Sequence, residues 1–399
     1  SSIAPRIRFM ISLRENLRTL PPAAWVLLGG TFINRFGTFV IPFLVLYLTR
    51  SGYSVTEAGL GVGAYGLGHV MASLLGGHLA DRIGRRNTIV LSMFGSAAAM
   101  LALSQAKAFA AILVIACLAG TAAEMYRPAS NALLVDLVGR KHSVFAFGMY
   151  RFAVNLAFAA GPATAGFLAD RSFLYLFLGD AATSIVYGGI ALFALPHGIR
   201  SDMKGERAGE AIRIASRNRA FLFLLAATVL ITLVDFQLTS TFALHVKSIG
   251  LPPRVYGMLV SENGLLIICL ELLITMYVQR FRPQPVIALG YFLAGFGFAL
   301  TGIARTIPAL AATVIIWTFG EMFSSPMVVG FVAQIAPEQY RGRFMGLLTV
   351  SWSFGMLFGP PIGTIVFARN PSALWAGCGI LGVTSASLLL LSGSRTIHP

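Results

Sequence analysis

The chain has 399 residues, of which 56% are hydrophobic and only 11% are charged. A soluble domain carries roughly a quarter of charged residues, so this composition excludes a soluble protein and predicts an integral membrane protein. The formal net charge of +15 would suit a nucleic-acid-binding protein, but the basic residues lie in short segments between apolar runs, which excludes that function.

Apolar runs of about 20 residues, long enough to cross a bilayer, recur along the whole chain. They lack the short alternating segments of a membrane β-barrel, so we predict an all-α protein. A polar linker at 196–219 divides the runs into an N-terminal six-helix bundle, 1–195, and a C-terminal six-helix bundle, 220–399. The twelve predicted spans, numbered in chain order, are 22–48, 55–80, 86–105, 108–136, 142–169, 173–195, 220–246, 254–279, 284–304, 308–335, 342–368 and 373–393.

The basic residues also predict the orientation of the chain. With the N-terminus inside, cytoplasmic segments hold 20 of the 30 Lys and Arg residues. This bias places both termini in the cytoplasm, and we expect a bacterial cytoplasmic (inner) membrane. No removable signal peptide is predicted, because the N-terminus lacks a short apolar core with a small-residue cleavage site. All three cysteines fall within spans and show no metal-ligand spacing, so we expect no metal site.

The two halves repeat each other at a constant offset of 198 residues. An ungapped series of such matches over two spans is hard to obtain by chance, and it predicts two six-helix pseudo-repeats with a substrate site between them near the bilayer midplane. The matching pairs are Pro128 with Pro326, Gly148 with Gly346, Gly161 with Gly359, and Pro162 with Pro360.

Residues 77–86, GHLADRIGRR, form a charged loop between spans 2 and 3. The pattern G-x-L-x-D-R-x-G-R-[RK] resembles the corresponding loop of the major facilitator superfamily of transporters, which implies the twelve-helix major facilitator fold and a latch for the outward-facing state. We expect Gly77 to allow close helix packing, Gly84 to allow the turn, and Asp81 to accept hydrogen bonds from a neighbouring helix N-terminus. Asp136 is either a further member of this charge cluster or an ordinary exposed helix end. The predicted latch comprises Gly77, Asp81, Arg82, Gly84, Arg85, Arg86 and Asp136.

Span 5 reads G-x8-A-x3-GP-x2-AG from position 148 to position 166. This resembles the antiporter motif of the superfamily's drug:proton exchangers, with alanine at two glycine positions. The alternative is a packing face of small residues without any such function. The residues that carry the resemblance are Gly148, Ala157, Gly161, Pro162 and Gly166.

Acidic residues within the spans are candidate proton carriers, because a charge in the membrane is costly. Glu321 lies in a G-E-x4-P pattern that resembles span 10 of multidrug:proton antiporters, near the midplane of its span. Asp235 lies on a stripe of threonines with helical spacing, and the same half has no arginine in the interior of a span. The predicted proton-coupling residues are Asp235, Glu321, Glu124 and Glu262.

The remaining polar residues of the spans allow more than one interpretation. Glu124 and Arg127 have the spacing of a local ion pair, and Asp180 fits a structural hydrogen bond. Arg35 and Arg151 either pair with acids of the C-terminal half or hold an anionic or zwitterionic substrate. The predicted substrate cavity comprises Asn34, Arg35, Arg127, Tyr150, Arg151, Asn155, Gln237, Asn263 and Trp317.

The chain has no phosphate-binding G-x4-G-K-[ST] loop and no nucleophile–base constellation, so we expect neither an ATP-driven pump nor an enzyme. We predict a secondary active transporter that uses the proton gradient, without a cofactor, to export small amphipathic molecules or drugs by alternating access. It is expected to be a monomer surrounded by membrane lipid. The alternatives are a proton symporter or uniporter for a sugar, peptide, organic acid or lipid, and more remotely a membrane sensor that transports nothing.

Overall fold

The computed structural model describes residue 17 and residues 20–197, 208–337 and 340–393. Within these ranges eleven helices are long and apolar enough to cross a membrane. Helices are expected there because a backbone in lipid must satisfy its own hydrogen bonds. Span 1 is counted among these eleven as the continuous segment Pro22–Arg50, although it contains a break. Span 7 is the predicted span that is not among them, and it is present as two shorter helices. The all-helical membrane fold predicted from the sequence is therefore confirmed.

The helices follow the predicted spans closely, with one addition in the linker. The helix Ala208–Arg217 lies in the segment that was predicted to be only a solvated linker, and its Ala215 is buried. The helix bounds are Pro22–Phe36 and Val40–Arg50 (span 1), Val55–Arg82 (span 2), Arg85–Gln105 (span 3), Phe109–Arg171 (spans 4 and 5), Leu174–Ala194 (span 6), Arg219–Asp235 and Thr241–Ser248 (span 7), Pro253–Val278 (span 8), Pro283–Thr301 (span 9), Ile307–Ile335 (span 10), Arg341–Arg369 (span 11) and Pro371–Gly393 (span 12).

Local sequence signals explain several helix ends. Span 2 begins at a capping box, in which Ser54 and Glu57 satisfy each other's backbone amides. Gly84 ends the loop before span 3 with φ of 93°, a left-handed conformation that favours glycine. Gly139, with φ of 71°, divides the long helix Phe109–Arg171 into spans 4 and 5.

Span 1 is broken between the half-helices 1a (Pro22–Phe36) and 1b (Val40–Arg50). Gly37 lies at the break, where a Cβ atom would stand 1.8 Å from the hydroxyl oxygen of Thr183 in span 6. The backbone amide of Val40 donates to the carboxylate of Asp180 at 3.4 Å. Asp180 thus satisfies the free N-terminus of half-helix 1b, which confirms its predicted structural role.

Span 7 is broken in the same way, between the half-helices 7a (Arg219–Asp235) and 7b (Thr241–Ser248). The side-chain amide of Gln237 donates to the carbonyls of Leu233 at 2.7 Å and Gly359 at 2.9 Å, and its oxygen accepts from Thr241 at 2.8 Å. Gln237 is therefore occupied in joining the two half-helices to span 11. The prediction that Gln237 lines the cavity is wrong, because its side-chain amide is engaged in hydrogen bonds at the break between the half-helices.

The two halves meet along two helix pairs, spans 5 and 8 and spans 2 and 11. In the first pair, a Cβ atom on Gly257 would lie 2.3 Å from the carbonyl oxygen of Pro162, and the amide of Ala163 donates to Ser261 at 2.8 Å. In the second pair, a Cβ atom on Gly63 would lie 2.5 Å from the ring of Pro361 in span 11. Such close contacts are typical of small residues at helix interfaces in membranes.

Polar contacts join the halves at the far end of the bundle, defined as the end that carries the 51–54 and 249–252 connections; the linker end is the opposite one. There, Arg254 donates to the carboxylate of Asp170 at 2.8 Å, and the ammonium of Lys247 donates to the hydroxyl of Thr49 at 3.1 Å. The halves are therefore closed against each other at the far end. In the predicted topology that end faces the outside.

Candidate functional site

A cavity of about 360 Å³ lies in the C-terminal half, against span 5. Its volume is at the lower end of the range of small-molecule sites, about 300–1,000 Å³. Of the described residues of the N-terminal half, only Val154, Asn155 and Phe158 reach it. Most of its wall is apolar, with aromatic side chains from spans 5, 7, 9, 10 and 11. These aromatic residues are Phe158, Phe236, Tyr291, Phe298, Trp317 and Trp352.

Two carboxylates face this cavity. Asp235 is the last residue of half-helix 7a, directly before the break, and Glu321 lies near the middle of the 29-residue helix of span 10. Both side chains are exposed to the cavity. The amide of Asn263 donates to Glu321 and to Thr318, each at 3.1 Å. These positions agree with the cavity predicted around Asp235, Asn263 and Glu321.

The two cavity carboxylates lack a neighbouring positive charge. Over the part of the chain that the structure describes, no basic group lies within 4 Å of Asp235 or Glu321. The negative charge of Glu321 repels that of Asp235. The carboxylate of Glu321 is in turn attracted by Arg151 and repelled by Glu271, both at longer range. The cavity therefore holds two carboxylates without an adjacent cation.

The acid of the N-terminal half is placed differently. Both oxygens of Glu124 accept from the guanidinium of Arg35, at 2.7 and 3.0 Å. His69 lies 3.4 Å and Arg127 lies 3.8 Å from the same carboxylate, and the Tyr126 ring covers Arg35 at 5.5 Å. The predicted local pair with Arg127 is thus the longest of three contacts. Glu124 is a compensated charge within the N-terminal half, and it does not reach the cavity.

Several residues predicted to line the substrate cavity lie elsewhere. Arg35 turns to Glu124, and Asn34 and Tyr150 are each only 7% exposed within the N-terminal half. Arg127 is half exposed beside Glu124. These four residues are therefore not among those that line the cavity, and the charge of Arg35 is matched within the N-terminal half. Asn155, Asn263 and Trp317 do line the cavity.

Arg151 forms an ion pair between the halves. Its guanidinium lies 2.6 Å from the carboxylate of Glu271, which joins span 5 to span 8 on the linker-end side of the close contacts. Of the two alternatives predicted for Arg151, the structure shows the pair with an acid of the C-terminal half. Arg151 does not line the cavity, and its charge is already matched.

Glu262 lies outside the cavity, although it precedes the lining residue Asn263. One residue corresponds to about 100° around a helix, and this step moves Glu262 towards the face that carries Leu265 and Leu272, which are 57% and 67% exposed. The structure therefore does not bring Glu262 together with Asp235 and Glu321, and its predicted role in proton coupling loses its geometric basis.

The predicted latch forms a charge cluster within the N-terminal half, but with a different acid at its centre. Arg85 pairs with Asp136 and also donates to the carbonyl of Ala132 at 2.9 Å. Asp136 is thus a member of the cluster, as one of its two interpretations held. Asp81 is exposed, and no described residue donates a hydrogen bond to it. Among the described residues, its predicted bond to a helix N-terminus is not formed in this conformation, in which the far end is closed.

The other latch residues lie at the surface of the linker end. Arg82 is exposed, and the guanidinium of Arg86 donates to the ring of His197 at 2.7 Å. Gly84 provides the turn with its positive φ, as predicted from the sequence. Arg86 thus ties the loop to His197, which follows span 6 in the same half.

Gly77 does not have the packing role that its place in the motif suggested. A Cβ atom on Gly77 would meet nothing within 4 Å, whereas one on Gly76 would lie 2.6 Å from the carbonyl oxygen of Met125 in span 4. Span 2 approaches span 4 through Gly76, because that residue and not its neighbour points at the partner helix.

We expect Gly76→Ala to lower stability by about 1–3 kcal/mol, because the added methyl would force spans 2 and 4 apart. The matched variant Gly77→Ala should be neutral or stabilising, since alanine is favoured over glycine in a helix by roughly 0.5–1 kcal/mol. Thermal unfolding of the two purified variants measures the difference. Equal effects would contradict the assigned helix contact.

The span 5 motif packs against both neighbouring elements. Ala157 is fully buried, a Cβ atom on Gly161 would lie 2.7 Å from a backbone oxygen of span 1, and one on Gly166 would lie 2.8 Å from the backbone of span 8. The carbonyl oxygen of Pro162 lies close to span 8, and the helix continues through this proline. Gly148 has open space around it, so the packing face covers only the far part of the motif.

Comparison with known proteins places the chain in a family. The family model of the Major Facilitator Superfamily matches residues 27–360 and again residues 231–398. The chain is 28% identical to the uncharacterised MFS-type transporter YqjV of Bacillus subtilis (strain 168), over 87% of both chains. It is 24% identical to a Na(+), Li(+), K(+)/H(+) antiporter of Planococcus maritimus, over 92% of this chain and 93% of that one. It is 21% identical to the quinolone resistance protein NorA of Staphylococcus aureus (strain MSSA476), over 90% and 94%.

Solved structures show the same fold at low sequence identity. A mutant of the nucleoside transporter NupG aligns with a TM-score of 0.82 at 14% identity, over 93% of this chain and all of that one. A D-xylose-proton symporter aligns with a TM-score of 0.76 at 14% identity, over 94% and 99%. Family and fold are those of transporters and not of enzymes. This integral membrane protein therefore belongs to the Major Facilitator Superfamily of transporters.

Proposed function

We propose that this transporter exports amphipathic organic cations in exchange for protons. The observation that carries the proposal is the pair of carboxylates, Asp235 and Glu321, in a cavity with aromatic walls and no adjacent basic group among the described residues. A carboxylate away from bulk water requires a partner of opposite charge or a proton. A cationic substrate with an apolar body supplies the first, and proton uptake supplies the second.

The arginines support a cationic rather than an anionic substrate. Arg35 is held by Glu124 and Arg151 by Glu271, so neither guanidinium is free to bind a carboxylate or phosphate. Aromatic faces such as those of Trp317 and Trp352 bind cations through their π-electrons. The charge of the cavity and its walls thus favour the same class of ligand.

The substrate cation and the protons compete for the same two carboxylates. This competition couples export of the cation to the inward flow of protons. With both termini in the cytoplasm, the closed far end faces outside, and the cavity takes substrate from the cytoplasmic side. When the halves rock and the far end opens, protons from outside neutralise Asp235 and Glu321 and displace the cation. The protonated carrier returns and releases the protons inside, which is antiport by alternating access.

A second candidate is exchange of alkali cations for protons. The name of the Planococcus maritimus relative suggests it, and the oxygens of Glu321 and Thr318 are ligands that such cations accept. A cavity of about 360 Å³ with six aromatic side chains is, however, far larger than an ion. The organic cation therefore remains the main proposal.

Proteoliposomes with an imposed pH gradient test the proposal. Four compounds are compared under identical gradients: ethidium, sodium ions, xylose and a neutral dipeptide. We expect ethidium to move against the direction of proton flow, and the other three to move at the rate of protein-free liposomes. Movement of sodium alone would establish the second candidate. Movement of xylose or the dipeptide in the direction of proton flow would overturn both and identify a symporter.

A further inference from the structure

A second cavity, of about 280 Å³, lies at the far end, where the two halves are closed against each other. It is separate from the cavity of Asp235 and Glu321, because the described residues that line the two cavities do not overlap. The N-terminal half contributes Leu46 and Arg50 from half-helix 1b, together with Phe173. The C-terminal half contributes half-helix 7b and the start of span 8.

This far-end cavity lies beside the pseudo-symmetry axis that relates the halves. Thr49 and Lys247 are 198 residues apart, the offset of the internal repeat, and their side chains are in contact at 3.1 Å. Equivalent positions of the two halves touch only close to such an axis. The far-end cavity is thus at the place where the halves must separate when this end opens.

The floor of the far-end cavity is apolar and its charged groups are cations. Leu46, Ala243, Val246 and Tyr256 are at most 4% exposed and form the buried part. Arg50 and Lys247 are exposed and are the charged lining residues. An apolar floor below a charged group fits a ligand with an apolar body and a charged head.

Arg50 and Lys247 repel each other across the interface. Among the described side chains, no carboxylate lies within 4 Å of either group, and the nearby Arg254 is already paired with Asp170. The charge of Arg50 acts on Lys247, while its guanidinium lies 5.7 Å from the centre of the Phe173 ring. One cation from each half thus stands at the closed interface without a counter-charge.

We propose that the far-end cavity binds an amphipathic anion, a phosphate, sulfate or carboxylate on an apolar body, whose head bridges Arg50 and Lys247. Because the two cations belong to different halves, the bound anion holds the far end closed. Opening separates the cations and removes the site, so the ligand binds the closed conformation selectively and opposes opening. This site is independent of the proposed substrate site, and it is a means by which anions regulate the transporter.

Binding of hexyl phosphate to the purified protein in zwitterionic lipid nanodiscs tests the proposal, measured by isothermal titration calorimetry. We expect Arg50→Gln and Lys247→Gln each to weaken binding about tenfold, because each removes one charge-assisted contact. Arg50→Lys keeps the charge and should bind within a few-fold of wild type. Arg305→Gln is the control, because Arg305 is an exposed arginine at the same end that does not line the cavity.

Two further ligands and one lipid separate the parts of the proposal. Inorganic phosphate should bind at least tenfold more weakly than hexyl phosphate, and hexanol should not bind, if both the charge and the apolar body are needed. Nanodiscs with phosphatidylglycerol identify the source: loss of hexyl phosphate binding there means that the anionic lipid itself occupies the site, and unchanged binding means a soluble anion. Equal affinity of wild type, Arg50→Gln and Lys247→Gln would overturn the proposal.

Discussion

Replacing Asp235 by Asn, or Glu321 by Gln, should abolish proton-driven export and leave the protein folded. Each substitution keeps the size of the side chain and removes the group that exchanges a proton for a cation. The fold should tolerate the loss, because neither carboxylate has an ion-pair partner within the described part of the chain. In Glu321→Gln, the amide oxygen of the new side chain can still accept the hydrogen bond that Asn263 donates. Accumulation of ethidium under a pH gradient, in proteoliposomes, is the measurement.

Glu262→Gln is the matched control for these two variants. It removes a third acid of the same half, at a similar depth of its span, from a position outside the cavity. We expect accumulation at the wild-type level. Wild-type accumulation in Asp235→Asn and in Glu321→Gln as well would contradict the role of the cavity carboxylates. Loss of ethidium accumulation in all three variants would show that facing the cavity is not what makes an acid necessary for export.

The fold could be predicted from the sequence to within a few residues at most helix ends. Hydropathy fixes which segments cross the membrane, and the repeat at 198 residues divides them into equivalent halves. The breaks in spans 1 and 7 could not be predicted, because the polar residues beside them, such as Arg35 and Asp235, fit one face of a continuous helix equally well. They depend on partners far along the chain, such as Asp180 for half-helix 1b and Gly359 for Gln237.

The two acids of the candidate site could be predicted from the sequence, but the full set of residues that form the cavity wall could not. Asp235 and Glu321 stand out because their half has no arginine in the interior of a span. Tyr291 and Phe298 of span 9 line the cavity, yet nothing distinguishes them in the sequence from other aromatic residues of a span. Periodicity identifies one face of a helix, whereas a cavity wall depends on how that helix is rotated against its neighbours.

The arginines show the same limit for charge pairs. Glu124 and Arg127 are close in sequence and suggest a local pair, but the dominant partner of Glu124 is 89 residues away in span 1. His69 joins them from span 2. A lone histidine in an apolar span is more often packed than paired, so its contact with Glu124 has no signal in the sequence.

Glu124→Gln should be among the most destabilising single substitutions in the chain. It leaves the guanidinium of Arg35, whose side chain is only 20% exposed, without its counter-charge and next to His69 and Arg127. Removing one partner of a buried ion pair costs about 3–5 kcal/mol. Arg35→Gln should cost less, because Glu124 keeps two basic neighbours, at 3.4 and 3.8 Å. Thermal unfolding of the purified variants measures both effects.

Two further variants distinguish a buried pair from a general loss of charge. The double variant Arg35→Met with Glu124→Met should recover much of the stability lost in Glu124→Gln, because an apolar pair replaces a buried ion pair at little cost. Asp170→Asn, which breaks the exposed pair with Arg254, should cost at most about 1 kcal/mol. If Glu124→Gln is no more destabilising than Asp170→Asn, then Glu124 does not hold the N-terminal half together. If the stable double variant still couples ethidium export to protons, the coupling resides in Asp235 and Glu321 alone.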